Sequence, residues 1–566
     1  NIEFNRDWNI TSQLLGNQSF LTSGLDFNFN NKGNAIYQFE NLAFGDAFSG
    51  NKHTFSGRYT AKNWMIWSNS SVMKSDSELS NSSFARSENR SSYKLGKNWV
   101  GATVNLEDNS EKLKATNTFS ALSQRFLEYG AFVGRGDSTK VFVELGFLQR
   151  QNDSLQNNQI QRVNHSNSYY LKTQLIKTEK SNLSVFLNYR TLKYEDSNLK
   201  DEPSLNSRIL YSDRYFDQLI QTTSAYETSS GTIAQQEFTY LQVEPGQGVY
   251  MWNDYNSNGI QELQEFEIAP YSDLAIYVRV FLPNQVFVRT HQNKFSQALN
   301  FNFNQWQNEK GFKKFASHFY NQTSFLIERK IIRNGNNFEM NPFSKNEDEL
   351  IGLNTNFRNS LFFNRGKQFH STTYSYLLNE NQNLLSVGSV SAKNKSHQIQ
   401  YQHLIKKSWL VNFSGSTTTS KSDSENYPSR NFEIASYHLE PKIGYLFSKN
   451  ASWDIFFVYL QKENQIGAFE TLKQNRLGTS FSYNSEKGFS VNGEFSMYNN
   501  TFDGNVLSAV GFQMLEGLQP GKNQTWRLLL QKNLTQYLDV NVNYQGRNSE
   551  TSKTIHTGNI QLRAFF

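Results

Sequence analysis

The strongest constraint on the fold of this chain is a two-residue alternation of apolar and polar side chains. In residues 554–566, every second residue from Gly558 to Phe566 is apolar or small, and the residues between them are mostly polar. The same alternation recurs at 25–29, 299–303 and 537–544. Because successive side chains of a strand point to opposite faces, a period of two indicates strands with one apolar and one polar face.

The composition extends this prediction to the whole chain. Hydrophobic residues make up 37% of it and aromatic residues 15%, and the mean hydropathy is −0.65. So many aromatic residues argue against disorder, and no apolar run approaches the roughly 18 residues of a membrane-spanning helix. A wall with one face toward lipid and one toward a polar interior keeps mean hydropathy low and collects aromatics in girdles. The sequence therefore predicts an all-β fold, a transmembrane antiparallel β-barrel. A soluble β-solenoid or sandwich array is the alternative, but the chain has no fixed-period repeat.

The spacing of turns predicts the number of strands and the organisation of the chain. Counted back from the C-terminus, short turns near 533–536, 485–488 and 406–407 alternate with longer polar connections such as 500–521 and 334–349. Further short turns are predicted at 309–311 and, toward the N-terminus, at 134–138, 96–97 and 61–63. This parity predicts about 24 strands (roughly 22–26), with the short turns on the periplasmic side. We expect barrel strands in 1–195 and in 288–566. Between them, 196–287 is predicted to be an insertion outside the wall, either an external cap or a plug.

The closing strand gives the first resemblance to a known class. A last strand that alternates and ends on Phe566 resembles the final strand of Gram-negative outer-membrane β-barrels, and the Asn-, Phe- and Lys-rich composition resembles barrels of the Bacteroidota. The resemblance implies an integral outer-membrane location, contact with the lipid bilayer and lipopolysaccharide, and protein partners at external loops or periplasmic turns.

The absence of cysteine fits passage through an oxidising periplasm. The formal charge of +6 is too small to predict binding of nucleic acid.

Residues 254–265 carry the one motif with metal chemistry. They match the spacing of a calcium-binding loop, in which Gly259 permits the sharp turn. Calcium is a hard cation that takes six to eight oxygen ligands. The candidate ligands are Asp254, Asn256, Asn258, the carbonyl of Ile260, Glu262 and Glu265.

The calcium motif resembles EF-hand loops over these twelve residues only. Its flanks look extended, and Pro270 would interrupt an exit helix. We therefore expect a structural Ca²⁺ clamp on an extended scaffold, with a turn that binds no metal as the alternative.

Three functions follow from these features, and none is enzymatic. The sequence has no Gly-x-Ser-x-Gly elbow, no phosphate loop and no paired histidines of metal-binding spacing. The first hypothesis is a large channel or translocon for macromolecules or large solutes, gated or capped by the insertion; it loosely resembles usher-type export pores. The second is a non-conducting scaffold subunit of an outer-membrane export or assembly complex. The third is a TonB-dependent-type transporter, disfavoured because residues 1–150 alternate like wall strands.

Overall fold

The computed structural model describes residues 8, 10, 17–137, 139–333, 335, 338–344, 346, 349–367, 369–385, 388–485, 488–535 and 537–564. For residues 234–236, 283–286 and 385 it describes the backbone alone. The terminal aromatic of the closing strand, Phe566, lies outside the described residues. So do 138, 486–487 and 536 in the predicted short turns, and parts of the predicted connection 334–349.

The chain divides into two compact units. The first comprises 1–212, 225–231 and 334–338. Its strands are β1 (Gln18–Asn28), β2 (Gly33–Phe44), β3 (Phe48–Ala61), β4 (Trp64–Ser77), β5 (Ser80–Leu95), β6 (Asn98–Leu113), β7 (Gln124–Gly136), β8 (Phe142–Gln156), β9 (Gln159–Lys177), β10 (Asn182–Tyr194) and β11 (Glu202–Tyr215). Each strand from β1 to β10 pairs in antiparallel fashion with the next one along the chain.

One face of the first unit is apolar and exposed. Cross-strand pairing joins Val100 on β6, Val133, Leu145 and Leu171 to Leu187 on β10 in a single row. The side chains of Val133 and Leu145 are 56% and 54% exposed. Large apolar residues in register across five strands form a continuous exposed surface, which the alternation predicted.

The opposite face of the same strands is polar. Glu144, the neighbour of Leu145, is buried. Its carboxylate accepts hydrogen bonds from Arg90 Nη2 at 2.8 Å, Trp99 Nε1 at 3.0 Å and the Tyr170 hydroxyl at 3.2 Å. Consecutive residues of β8 thus belong to two surfaces of opposite character.

The second unit comprises 213–224, 232–333 and 339–566, so that part of β12 belongs to the first unit. Its elements are β12 (Ile220–Gln242), β13 (Tyr250–Trp252), β14 (Phe266–Ile268), β15 (Tyr277–Asn302), α1 (Phe312–Ala316), β16 (Phe319–Ile332), β17 (Leu350–Phe363), β18 (His370–Leu385), β19 (Gly388–Ile405), β20 (Trp409–Ser424), β21 (Phe432–Leu446), β22 (Ala451–Asn464), β23 (Thr471–Ser485), β24 (Phe489–Asp503), α2 (Ala509–Leu515), β25 (Gly521–Thr535), β26 (Leu538–Ser549) and β27 (Ile555–Ala564). From β15 to β27 each strand again pairs antiparallel with the next, and β12 pairs with β15.

The prediction of an all-β antiparallel fold is confirmed, and the large antiparallel sheet is consistent with a β-barrel. The described residues form 25 long strands, within the predicted range, besides the three-residue strands β13 and β14. In the same residues no helix is long and apolar enough to cross a membrane.

Most predicted turns fall between strands, as at 62–63 and 96–97. The short turn predicted at 309–311 is wrong, because the connection runs from 303 to 318 and includes α1, which begins after Gly311. In the first unit several of the connections expected to be longer are also short, for example 157–158. In these places the two strands continue into the residues expected to form the connection, because their backbone N–H and C=O groups are paired with the neighbouring strand.

The range 196–287 was predicted to be one insertion outside the wall, but it contains long paired strands. It includes all of β12 and the start of β15, and it also includes β11, which pairs with β10 from Glu202 to Ser212. Backbone pairing defines these strands even though their side-chain alternation is weak. The part between β12 and β15, residues 243–276, is called the connecting segment below.

Candidate functional site: the connecting segment

The connecting segment leaves and rejoins the sheet at one point. The Val243 N–H donates to the Ile276 carbonyl at 2.8 Å, so the two ends of the segment are adjacent. Within it, β13 and β14 pair antiparallel, with Trp252 opposite Phe266. The ring of Phe266 stacks on Tyr240 of β12, with 4.0 Å between the ring centroids. The segment is therefore a compact hairpin held on β12 by aromatic packing.

The predicted calcium loop lies between β13 and β14, so its flanks are strands, as predicted, and not helices. The Asp254 carboxylate accepts the N–H groups of Asn258 at 3.1 Å and Gly259 at 2.8 Å. Asn256 Oδ1 also accepts the Asn258 N–H at 3.0 Å, and Asn258 Oδ1 accepts the Ile260 N–H at 2.7 Å. Gly259 has a φ of +72°, the left-handed conformation that the motif assigns to a glycine. The loop thus curls around the side chains of its first half.

The second half of the loop is fixed by Glu265, whose side chain is fully buried. Its carboxylate accepts the Trp252 indole N–H at 2.8 Å and the Tyr255 N–H at 3.2 Å. Glu262, in turn, accepts a hydrogen bond from Asn256 Nδ2 at 2.8 Å. The side chains predicted as ligands are therefore linked within one loop. Ile260, predicted to contribute its carbonyl, is 63% exposed.

The donor set of this loop fits a hard cation in its chemistry. It holds three carboxylates and two asparagine amides, and residues 254–265 include no basic side chain. The described residues contain no group of three or more His, Cys, Asp or Glu side chains placed to hold a metal ion. A site here would rely on the amides and on a backbone carbonyl as well as on carboxylates.

The far end of the segment is bound by the polar face of β26. Arg547 donates to both carboxylate oxygens of Asp273, with N–O distances of 2.6 and 2.7 Å. Its guanidinium also lies 4.1 Å from the centre of the Tyr271 ring. Two residues earlier on β26, Gln545 Nε2 donates to Ser272 Oγ at 2.9 Å. The hydrogen bond from Arg547 holds the pKa of Asp273 below its ordinary value.

A second cation holds the segment close to the calcium loop. Arg430, in the connection between β20 and β21, donates to the Gln264 carbonyl at 2.6 Å and to Glu267 Oε1 at 2.7 Å. Burial raises the pKa of Glu267, and the charge of Arg430 opposes that shift. Burial also raises the pKa of Tyr255, whose hydroxyl donates to Glu267 at 3.2 Å.

The segment also packs against the connection that contains α2. Gly517, with a φ of +81°, lets Pro270 approach so closely that an added Cβ would lie 2.5 Å from the Pro270 ring. A cleft of about 250 Å³ separates the two elements, with Asp254 and Leu274 on one side and Phe512 on the other. Thus the segment contacts β26, Arg430 and the α2 connection, all within the second unit.

Sequence reasoning identified the calcium motif but missed the residues that hold the segment. Arg430 and Arg547 are single basic residues without a motif, and Arg547 is 274 positions from Asp273. The only available signal was the odd-numbered polar face of β26, on which Gln545 and Arg547 fall.

Comparisons with known proteins give distant likenesses in structure alone. No family model and no curated protein matches the chain. Among solved structures, it is similar to the copper transporter OprC (8% identity, TM-score 0.31, covering 93% of this chain and 73% of that one). It is also similar to the FrpB iron transporter from Neisseria meningitidis (9%, 0.31, 86% and 77%) and to BauA, the ferric preacinetobactin receptor from Acinetobacter baumannii (10%, 0.31, 97% and 78%). Similarity at this level assigns no family, activity or ligand to the chain.

Proposed function

We propose that the chain is an integral outer-membrane β-barrel that conducts large solutes and is gated by the connecting segment. The two-faced strands support the membrane location. The row from Val100 to Leu187 is a contiguous exposed apolar surface across five strands, and such surfaces mark contacts with a membrane or a partner. A lipid bilayer would cover this face, while the face that carries Glu144 and Arg90 would line a wet interior.

The contact between the connecting segment and the polar face of β26 carries the proposal of a gate. On β26, Val540 and Val542 pair with the exposed Leu562 and Ile560 of β27, whereas Arg547 belongs to the opposite set of side chains. A segment bound by Arg547 contacts the polar face of β26, and in a barrel that face would line the interior. This favours a plug over an external cap. The contacts that Arg430, Gln545 and Arg547 make with the segment are ionic or polar, which suits a closure that is released and restored.

Replacing the segment while keeping the wall tests this function. Because Val243 and Ile276 are already hydrogen-bonded neighbours, residues 244–275 can be exchanged for Asn-Gly, the turn that suits a tight hairpin. We expect the shortened protein to show larger single-channel conductance in planar bilayers and faster uptake of oligosaccharides into vesicles than the full chain. The control is a full-length chain with Ser→Ala changes at exposed strand positions. It is purified and reconstituted in the same way as the shortened protein and should conduct like the full chain. Zero conductance in both proteins would contradict the channel and favour the non-conducting scaffold.

We also propose that residues 254–265 bind Ca²⁺ and stiffen the segment. The support is the donor set of Asp254, Asn256, Asn258, the Ile260 carbonyl, Glu262 and Glu265, together with the glycine conformation at position 259. Two asparagines in place of aspartates lower the ligand charge and predict modest affinity. Calorimetric titration of the full chain with CaCl₂ should show one site, and Glu265→Ala should remove it. Asn258→Ala, which leaves the buried carboxylate in place, should weaken binding. Unchanged affinity in both variants would refute the site.

A further inference from the structure

An apolar groove of about 760 Å³ lies on the exposed face of β20 to β23. It is near the strand ends that meet the turns 406–408 and 447–450. Its lining is mostly aromatic: Trp409, Ile443, Tyr445, Phe447, Trp453 and Phe457. Trp409 and Trp453 are 47% and 46% exposed, and Trp409 packs edge-on against Tyr445 with 4.9 Å between ring centroids. These side chains form walls around an open space and do not fill it.

A proline in the middle of β21, Pro441, lines the groove. In the described part of β21, pairing with β22 stops at Leu439, opposite Tyr459, and resumes at Lys442, opposite Phe456. Pro441 lies in the gap and has no N–H to donate to a neighbouring strand. Proline is confined to sheet edges or irregularities for this reason. The register is the same on both sides of the gap, so the pairing is interrupted at two positions of β21 without a slip of the strands.

Three lysines lie at the end of the groove. Lys406 and Lys407 occupy the turn between β19 and β20 with φ values of +50° and +61°. Asn-Gly is the usual pair for such a turn, and two lysines there are strained. Lys449 is in the turn between β21 and β22, and the Leu446 N–H donates to the Ser408 carbonyl at 2.7 Å, which brings the two turns side by side. All three lysines are exposed.

We propose that this groove binds one anionic phospholipid. An acyl chain would lie along the aromatic lining over Pro441, and the lipid phosphate would be held by Lys406, Lys407 and Lys449. Aromatic rings at the level of the headgroups and lysines just beyond them are the chemistry that anionic lipids attract. The inference rests on the proposed function, because an acyl chain reaches this face only if the wall spans a bilayer.

Quenching of tryptophan fluorescence by brominated lipids tests this inference. The full chain is reconstituted into phosphatidylcholine vesicles that contain either dibrominated phosphatidylglycerol or dibrominated phosphatidylcholine. The signal of Trp409 and Trp453 is obtained as the difference from a Trp409→Phe/Trp453→Phe variant. We expect half-quenching at a roughly tenfold lower fraction of the brominated anionic lipid, because each lysine near the membrane surface favours anionic lipid.

The preference should disappear in Lys406→Asn/Lys407→Gly/Lys449→Gln. This variant removes three charges and gives the first turn its favoured residues, so it is expected to fold at least as well. Lys406→Arg/Lys407→Arg/Lys449→Arg should retain the preference. Lys62→Gln, in the turn beside the exposed Trp64 of the first unit, is the matched control and should leave it unchanged.

The outcomes separate this inference from the proposed function. Equal quenching by the two lipids, or a preference that survives in the uncharged variant, would overturn the lipid site and leave the barrel intact. If neither lipid quenched these tryptophans, the wall would not face lipid, and both the outer-membrane barrel and the site would fall.

Discussion

Removing the guanidinium of Arg547 should release the connecting segment from β26. Arg547→Ala deletes two charge-assisted hydrogen bonds to Asp273 and the contact of the cation with the Tyr271 ring. The backbone of β26 keeps its pairing with β25 and β27, so the wall should be unaffected. The perturbation therefore tests the docking of the segment and not the stability of the sheet.

The size of the effect follows from the geometry of the pair. Hydrogen bonds to charged groups contribute about 1.5–3 kcal/mol each when well shielded. Here the two side chains are 17% and 20% exposed, so water screens part of that gain. We take about 2 kcal/mol for the fork-like pair and about 0.5 kcal/mol for the ring contact. Together these correspond to a roughly 60-fold rise in the ratio of undocked to docked segment, since 1.4 kcal/mol is tenfold.

Thiol labelling measures that ratio without assuming conduction. The chain has no cysteine, so Ser272→Cys introduces a single reactive thiol beside Gln545. In the Arg547→Ala background this thiol should react with a maleimide tens of times faster than in the parent. Arg547→Lys, which keeps the charge but loses the planar fork, should lie between the two.

Arg476→Ala is the matched control, because Arg476 pairs with Glu494 across β23 and β24 and not with the segment. A labelling rate that is unchanged by Arg547→Ala, or raised equally by Arg476→Ala, would refute the reasoning.

Three further predictions concern the wall, the α2 contact and pH. Leu145→Lys, on the exposed apolar face, should cost about 2–4 kcal/mol of folding free energy in lipid vesicles, as urea titration would measure; Asn105→Lys, on the polar face beside Glu128, should cost far less. Gly517→Ala should speed labelling of the thiol introduced by Ser272→Cys, because the added methyl group would collide with Pro270. Gly467→Ala is the control and should leave the labelling rate unchanged. Gly467 has a φ of +70° and open space around it, so the substitution brings the same backbone strain without a collision. Because the pKa of Asp273 is depressed in the docked state, its stabilisation is present above the ordinary value of 3.8 and is lost as the pH falls through the lowered pKa. Channel opening should therefore rise only in strong acid, and Asp273→Asn should abolish that rise; a pH response that persists in this variant would contradict the assignment.

Much of the wall could be predicted because the alternation of apolar and polar residues within a short segment indicates a strand. The alternation on the closing strand reappears as the pairing of Leu562 with Val540 and of Ile560 with Val542. Turns such as 406–407 were recognisable because short polar pairs interrupted the alternation. By contrast, β11 was assigned to an insertion, since its Ser- and Arg-containing sequence alternates weakly and only its pairing with β10 makes it a strand.

The candidate site also has a part that the sequence predicted and a part that it did not. The calcium motif is a local pattern, so its residues and even the absence of flanking helices could be read from the chain, and Ca²⁺ binding itself stays a prediction. The anchors of the segment could not be read, because a lone arginine carries no positional signal. Nor could the groove at Pro441, since its lining comes from four strands, β20 to β23, that only the sheet brings side by side.

The sequence by itself determined that this chain forms two-faced antiparallel strands, about how many there are, and where a metal-binding loop could lie. Each of these follows from side-chain periodicity or spacing within a few residues. Only the tertiary structure decided that the connecting segment is bound by Arg430 and Arg547 on the polar side of the wall. The physical reason is that contacts between residues more than a hundred positions apart depend on how paired strands bring distant turns and loops together, and no local pattern encodes that arrangement.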